Sequence, residues 1–369
     1  MNKAKIEILW NKYEGGEKLA IVKVDPKHVS RVKRNPNFRF ITNNLQHWIE
    51  LSATAPFLDE KPRFSGLVPE FRLDKYHPLS EVELFLYEIS KRGNARVLDI
   101  GLSHEGRHIK AVEILNNPND SRFVWIDGCT HAREWITVST ALFLIEQAIV
   151  SRSKVNFIIV PVINPDGYVY TWTVDRLWRK NRRLPPTSQY FTRDECYGID
   201  LNRNYDINFG GEGSSRDPCS HIYQGSSPFS EPETSAVAKL IWAMRHKIKL
   251  FLSLHSFHQL WSCPYAFTKA KNPHFDAHME VLNSVRDAIY KTSGEIYNVG
   301  PLSTELYIGS GFSLDWTYAK VGIVHSYLSE LRDKGVYGFM LPSNQIMPTA
   351  LETWAGLRVA ICKIFKVDC

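Results

Sequence analysis

The chain has 369 residues, a formal net charge of +6 and 44% hydrophobic residues. That length suits one large domain plus a small one, and that apolar share can bury a sizeable core. No stretch is long and apolar enough to cross a membrane. The basic run Arg176, Arg179, Lys180, Arg182 and Arg183 matches no nucleic-acid-binding motif, so neither a membrane nor a nucleic acid is an expected partner.

Taken in chain order, the N-terminus Met1-Asn2-Lys3-Ala4-Lys5-Ile6-Glu7 has no apolar core of a signal peptide. Residues 18–24 read as a strand, 26–34 as a short helix and 38–42 as a second strand. Residues 55–75 read as a linker with Pro56, Pro62 and Pro69. The expected division is residues 1–65 and 66–369. Near residue 76 the large domain begins. Ser80 with Glu83 predicts a capping box, followed by Val82, Phe85, Leu86 and Ile89 at helical spacing. Strands are predicted over 96–100, 123–127, 156–163, 248–254 and 322–328. Helices are predicted over 135–150, 231–246, 276–292 and 349–365. This alternation predicts an α/β fold: a mostly buried, twisted sheet flanked by helices.

The segment Gly128-Cys129-Thr130-His131-Ala132-Arg133-Glu134-Trp135 follows one apolar strand. His131 and Glu134 converge on one cation if the chain turns between them. A catalytic zinc commonly takes three protein ligands and leaves one position open. His255, closing the apolar run Leu250-Phe251-Leu252-Ser253-Leu254, supplies the third. Alone, a His-x-x-Glu pair is common, and a lone strand-end histidine is more often a hydrogen-bonded core residue. The surroundings decide.

Downstream come Arg176-Leu177-Trp178-Arg179-Lys180, Gly198-Ile199-Asp200-Leu201-Asn202-Arg203-Asn204 and Leu254-His255-Ser256-Phe257. Then follow Leu306-Tyr307, Gly311-Phe312-Ser313-Leu314-Asp315-Trp316 and Ser329-Glu330-Leu331-Arg332-Asp333. In this order they closely resemble the zinc carboxypeptidases of the pancreatic A/B type, from about residue 76 to the end.

The resemblance implies a metallocarboxypeptidase that hydrolyses the C-terminal bond of peptides or proteins, with one Zn2+ on His131, Glu134 and His255. Two neutral imidazoles and one carboxylate leave the metal a net positive charge and hence strongly Lewis acidic. Asp200 then accepts the other N–H of His131. Glu330 is the general base and Arg179 the oxyanion stabiliser. Asn202, Arg203 and Tyr307 hold the substrate's terminal carboxylate, a task suited to a guanidinium fork. Tyr307 sits on a mobile loop, with Gly309 and Gly311 permitting motion. Arg133 is an outer substrate contact.

Leu314 stands where B-type enzymes carry an aspartate, so an apolar C-terminal residue is expected, because an unpaired buried cation is very costly. Phe312 replaces an expected glycine and Leu328 a small polar residue. Both narrow the pocket, favouring small aliphatic residues. Phe257 stands where a tyrosine is usual.

The resemblance also pairs Cys196 with Cys219, which needs an oxidising compartment. Cys129 and Cys263 are expected as buried thiols. Cys362 and Cys369 carry no assignment. A secreted, monomeric protein follows, with a leader expected ahead of Met1. Residues 18–42 look like the beginning of an inhibitory propeptide, truncated here, with Arg63 and Arg72 as candidate points for a trypsin-like activating protease. The competing reading is a catalytically inactive binding protein on the same fold; it is disfavoured because His131, Glu134, His255 and Glu330 are all retained.

Overall fold

A computed structural model describes residues 6–14, 17–34, 42, 44–54, 71–151, 154–187, 189 and 192–368. At the N-terminus β1 (Ile6–Glu14) and β2 (Glu17–Val24) form an antiparallel hairpin. A single turn at Pro26–His28 leads into α1 (Val29–Lys33), and α2 (Leu45–Thr54) follows. The strand expected at 38–42 falls almost wholly outside the described residues, as do most of the linker and Arg63. β1 carries Lys12 and Glu14 beside Trp10 and Tyr13, too mixed a pattern to stand out by alternation.

The large body contains α3 (Leu79–Ser90), β3 (Ala95–Leu102), β4 (His108–Ile114), β5 (Phe123–Asp127), α4 (Trp135–Val150), β6 (Asn156–Val160) and α5 (Pro165–Thr173). It continues with α6 (Pro232–Met244), β7 (Ile248–His255), β8 (Leu260–Cys263), α7 (Phe275–Ser293), β9 (Asn298–Pro301) and α8 (Leu302–Glu305). The last elements are α9 (Ser313–Trp316), β10 (His325–Glu330) and α10 (Ile346–Phe365). Strands β3 to β10 form one sheet in the order β3-β4-β6-β5-β7-β10-β8-β9. The central pairs β6/β5, β5/β7 and β7/β10 are parallel, and the antiparallel pairs β3/β4, β4/β6 and β10/β8 make the sheet mixed.

Burial explains the central strands. β5 and β6 are buried along their whole length, and a parallel strand covered on both faces reads as a continuous apolar run. Alternate side chains feed two cores. Val124, Ile126, Leu250, Leu252 and Leu254 join one face with α3, α4, α7 and α10 residues. Phe123, Trp125, Ile158 and Phe251 join the other, against Val237 and Ile241 of α6.

Three expectations need correction. Ser80 does not cap α3: the helix starts at Leu79, Pro78 occupies the N-cap, and no side chain caps it. Proline suits this edge because its missing N–H would lack a helical partner there anyway. The strand begun at Asn156 stops at Val160, just before Pro161. The strand expected from Gly322 starts at His325, because residues 317–321 wind as a π-helical turn that Gly322 ends at φ 84°.

Cys196 and Cys219 are disulfide-bonded across a separation of 23 residues, and Cys129 and Cys263 are buried free thiols. Beside that bridge Lys180 Nζ donates to the carbonyls of Glu195 (2.9 Å) and Pro218 (2.7 Å), each next to one of the cysteines, so the disulfide and a buried lysine hold the same crossing. Closing such a loop removes unfolded-state entropy. Replacing both cysteines by serine should lower unfolding free energy by about 3 kcal/mol in a urea titration; an unchanged midpoint would mean the loop is held by Lys180 and packing alone.

Candidate active site

The site lies where the parallel strands end, the usual place for a ligand crevice in such sheets. After β5, Cys129 adopts φ 53°, a costly left-handed conformation for a non-glycine residue. It is held by Asn164 N–H donating to Cys129 O (3.1 Å) and Thr137 Oγ1 accepting from Cys129 N–H (2.9 Å). The turn brings His131 and Glu134 together at the mouth of α4. His255 ends β7, and the register sets Glu330, the end of β10, beside it.

His131 Nδ1 lies 2.8 Å from Glu134 Oε1, and His255 Nδ1 lies 3.2 Å from Glu134 Oε2. The two Nδ1 atoms are 3.1 Å apart. Donor atoms of the three residues all lie within 4.8 Å of one another, and all three residues are buried. Two imidazole nitrogens facing each other need a shared proton or a cation between them. Two nitrogens and a carboxylate aimed at one point fit zinc.

Behind this cluster, His131 Nε2 lies 3.2 Å from Asp200 Oδ1. A carboxylate only accepts, so Nε2 carries the proton and Nδ1 the lone pair. Asp200 Oδ2 also accepts from Arg179 Nε (3.1 Å) and Nη2 (2.9 Å). This leaves Arg179 Nη1 directed toward Glu134, 3.9 Å from Oε1. The loop carrying His131 and Glu134 is tied to this segment, since Ala132 N–H donates to Arg179 O (3.0 Å).

The charges follow the geometry. Burial works against an ionised Asp200, but Arg179, Arg203 and His131 hold its carboxyl well below the usual range. Glu134 is likewise held low against its burial by His131 and His255. Burial first, then Arg179, lowers His131 and favours its neutral, metal-binding form. Glu330 goes the other way: burial, then the charge of Glu134, pushes it up to about 8, against the pull of His255, Arg179 and Arg203. A cation among the ligands opposes that rise.

Arg203 is 1% exposed. Its Nε donates to Gly213 O (2.7 Å), Nη1 to Asn202 O (2.9 Å) and Nη2 to the Tyr307 hydroxyl (3.3 Å). Its guanidinium lies 4.3 Å from the centre of the Phe312 ring. Asn202 Oδ1 accepts from Ser313 N–H (3.0 Å), and its Nδ2 lies 3.3 Å from His255 Nε2. Gly311 serves close approach: at φ 76°, a Cβ would sit 2.3 Å from Arg203 O. Leu314 is buried in one cluster with Phe312, Leu328, Leu306, Leu302, Ala266 and Leu260, and Tyr307 packs on it.

Arg133 is buried and packs toward Phe339. Its guanidinium lies 3.9 Å from the Phe339 ring centre and Nη1 donates to Leu177 O (3.4 Å). Phe257 packs beside Leu177 and Phe339.

Three buried polar residues went unread in the sequence. Asp127 accepts from Ser253 Oγ (2.6 Å) and Trp125 Nε1 (2.7 Å), while burial raises it to about 6. Asp315 accepts from the N–H groups of Ala266 and Phe267 and is raised by burial to about 7. The available signals were a charge closing the run Phe123-Val124-Trp125-Ile126, a serine inside Leu250–Leu254, and an aspartate between Leu314 and Trp316.

Asp200→Asn removes the counter-charge shared by two buried guanidiniums. It should cost about 3 kcal/mol of stability or more, read by chemical denaturation. An unchanged midpoint would show that Arg179 and Arg203 are satisfied without it.

A family model described as zinc carboxypeptidase matches residues 84–356. Carboxypeptidase A2 of Mus musculus is 39% identical over 300 residues, covering 78% of this chain and 70% of that protein. Carboxypeptidase B of Astacus astacus is 38% identical over 293 residues, covering 77% and 95%. Among solved structures, thrombin activatable fibrinolysis inhibitor superposes with a TM-score of 0.85 at 30% identity, covering 96% of this chain and 90% of that one. Sequence, sheet and the converging His131, Glu134 and His255 agree: the chain belongs to the zinc carboxypeptidase family and is a metallocarboxypeptidase.

Proposed function

We propose that this metallocarboxypeptidase removes apolar C-terminal residues, with His131, Glu134 and His255 holding one zinc. The observation that carries the reading is the buried convergence of those three donor sets beside Glu330, Arg179 and Arg203. Zinc bound there supplies Lewis acidity and acidifies water. The protein's own groups do the rest. Arg203, Asn202 and Tyr307 anchor the terminal carboxylate, which fixes the last peptide bond over the ligands. Arg179 presents Nη1 to the negative charge that develops on the carbonyl oxygen. Glu330 accepts a proton from the attacking water and passes it to the leaving amine.

Leu314 floors the pocket for the departing side chain. Phe312 and Leu328 occupy the same cluster, so little room remains and small aliphatic residues are favoured. Asp315 steadies the wall through Ala266 and Phe267.

Residues 1–65 are proposed as a propeptide-like segment and 66–369 as the catalytic domain. Support comes from docking: Leu45 of α2 packs on Leu177, Phe257 and Phe339, Trp48 lies 5.7 Å from Tyr337, and Lys23 Nζ lies 4.0 Å from Asp175. A trypsin-like protease cutting near residues 63–72 would release it. An extracellular site and a monomer are part of the same proposal, and the Cys196–Cys219 bond favours an oxidising compartment.

Limited trypsin treatment, then C-terminal release from a mixed peptide set with and without a zinc chelator, tests the reading. Chelator-sensitive release led by small aliphatic residues is expected. Phe312→Gly should then raise kcat/KM for C-terminal Phe relative to Ala by about tenfold or more. Release of Lys or Arg would overturn the pocket assignment, and no release from zinc-loaded protein would favour a binding protein.

Glu330 must be ionised to accept a proton, so kcat/KM should rise with pH through its pKa. The metal-free value of about 8 is drawn down by the cation, placing that limb below 8. Glu330→Gln should cut kcat by about a hundredfold or more with zinc still bound, and a pH profile that kept its acidic limb in this variant would exclude Glu330 as the base.

A further inference from the structure

The ligand His255 has a polar chain behind it that ends in a buried carboxylate. Asp127, at the end of β5, is paired in register with Ser253 of β7. Both are buried to 1% exposure or less. Asp127 Oδ2 accepts from Trp125 Nε1 (2.7 Å), and Oδ1 is 2.6 Å from Ser253 Oγ. Ser253 Oγ in turn lies 3.2 Å from His255 Nε2. A hydroxyl has one proton. Given to the carboxylate, it leaves only lone pairs for the imidazole, so His255 Nε2 must carry the proton and Nδ1 must be bare.

We propose that Asp127 and Ser253 are positioning residues that hold His255 in the tautomer whose Nδ1 lone pair meets the metal. The inference rests on the reading of His131, Glu134 and His255 as zinc ligands. It makes the two imidazoles equivalent in design: Asp200 backs His131 directly, and Asp127 backs His255 through one hydroxyl. Partners of this kind orient a ligand ring and raise its basicity.

A competing group is present. Asn202 Nδ2 lies 3.3 Å from the same Nε2, and its Oδ1 is engaged by Ser313 N–H. An amide N–H aimed at Nε2 suits the opposite tautomer, with the proton on Nδ1, where His255 binds no metal. The Asp127–Ser253 pair opposes that form and leaves Asn202 free to turn toward a substrate carboxylate.

The test compares the full chain with its Ser253→Ala, Asp127→Asn and Asn202→Ala variants. Zinc affinity is read by chelator competition, and the His255 Nε2–H of the zinc-loaded protein by 15N-resolved NMR. Ser253→Ala should weaken zinc binding about 10- to 100-fold and lose the slowly exchanging Nε2–H, with the thermal midpoint of the metal-free protein kept. Asp127→Asn should do the same; if it fails to fold, Ser253→Ala decides alone. Asn202→Ala should leave zinc affinity unchanged. Unaltered zinc affinity in Ser253→Ala, or a loss in Asn202→Ala as large as in Ser253→Ala, overturns the proposal. His255→Ala binding zinc as tightly as the parent would instead overturn the ligand assignment itself.

Discussion

The site depends on one buried carboxylate. Asp200 is fully buried, and leaving such a charge unpaired would cost several kcal/mol. It is compensated from several sides at once: two N–H groups of Arg179, Nε2 of His131, the Asn202 N–H at 3.0 Å, and Arg203 Nη1 at 3.8 Å. These partners serve three parts of the proposed chemistry: His131 a metal site, Arg179 the reacting carbonyl, and Asn202 with Arg203 the carboxylate anchor. One carboxylate therefore sets the ring of a ligand, the edge of the arginine facing the reaction, and the start of the segment that carries the anchor. The Cys196–Cys219 loop and buried Lys180 hold the strand-less stretch that delivers Asp200. That stretch has few ladder hydrogen bonds of its own, which is why so many buried side chains and a covalent bridge cross it.

The sheet supplies the second constraint. Parallel strands β5, β7 and β10 place Asp127, His255 and Glu330 at one end, so Asp127 and Ser253, 126 residues apart in sequence, meet without long side chains. Glu330 sits beside His255 because β10 pairs with β7 in a fixed register, and a one-residue slip would turn it to the opposite face. The two cores on either face make such a slip expensive, since every inward side chain would change sides with it.

The same physics explains what could be read in advance. β5 and α4 were legible to the residue because their apolar runs are long and sharply bounded. β4 was not: its sequence His-Ile-Lys-Ala-Val-Glu-Ile alternates imperfectly and sits among charges. β8 and β9 have four residues each, too short for periodicity, and exist because β10 and β8 provide edges to pair with. α5 opens Pro-Asp-Gly, which reads as a turn, but Asn164 accepts from Gly167 N–H and caps it. The converging trio His131, Glu134 and His255 was legible because metal chemistry restricts residue type and spacing. The supports Asp127 and Ser253 were not, because their function exists only across a strand pair that no local pattern reveals.

Anchoring and selectivity are not independent here. Phe312 packs in the cluster with Leu314 and Leu328, and its ring also lies 4.3 Å from the Arg203 guanidinium. A buried cation over an aromatic face gains about 2 kcal/mol, and the ring excludes water from Arg203's hydrogen bonds to Gly213, Asn202 and Tyr307. The side chain proposed to narrow the pocket therefore also packs against and stiffens Arg203, the proposed carboxylate anchor. Opening the pocket by removing this ring would admit larger side chains, yet would hydrate Arg203 and loosen its hold. A rise in catalysis toward aromatic residues should thus come with a higher KM for every substrate. On the proposed assignments, selectivity and anchoring trade against each other through a single phenyl ring.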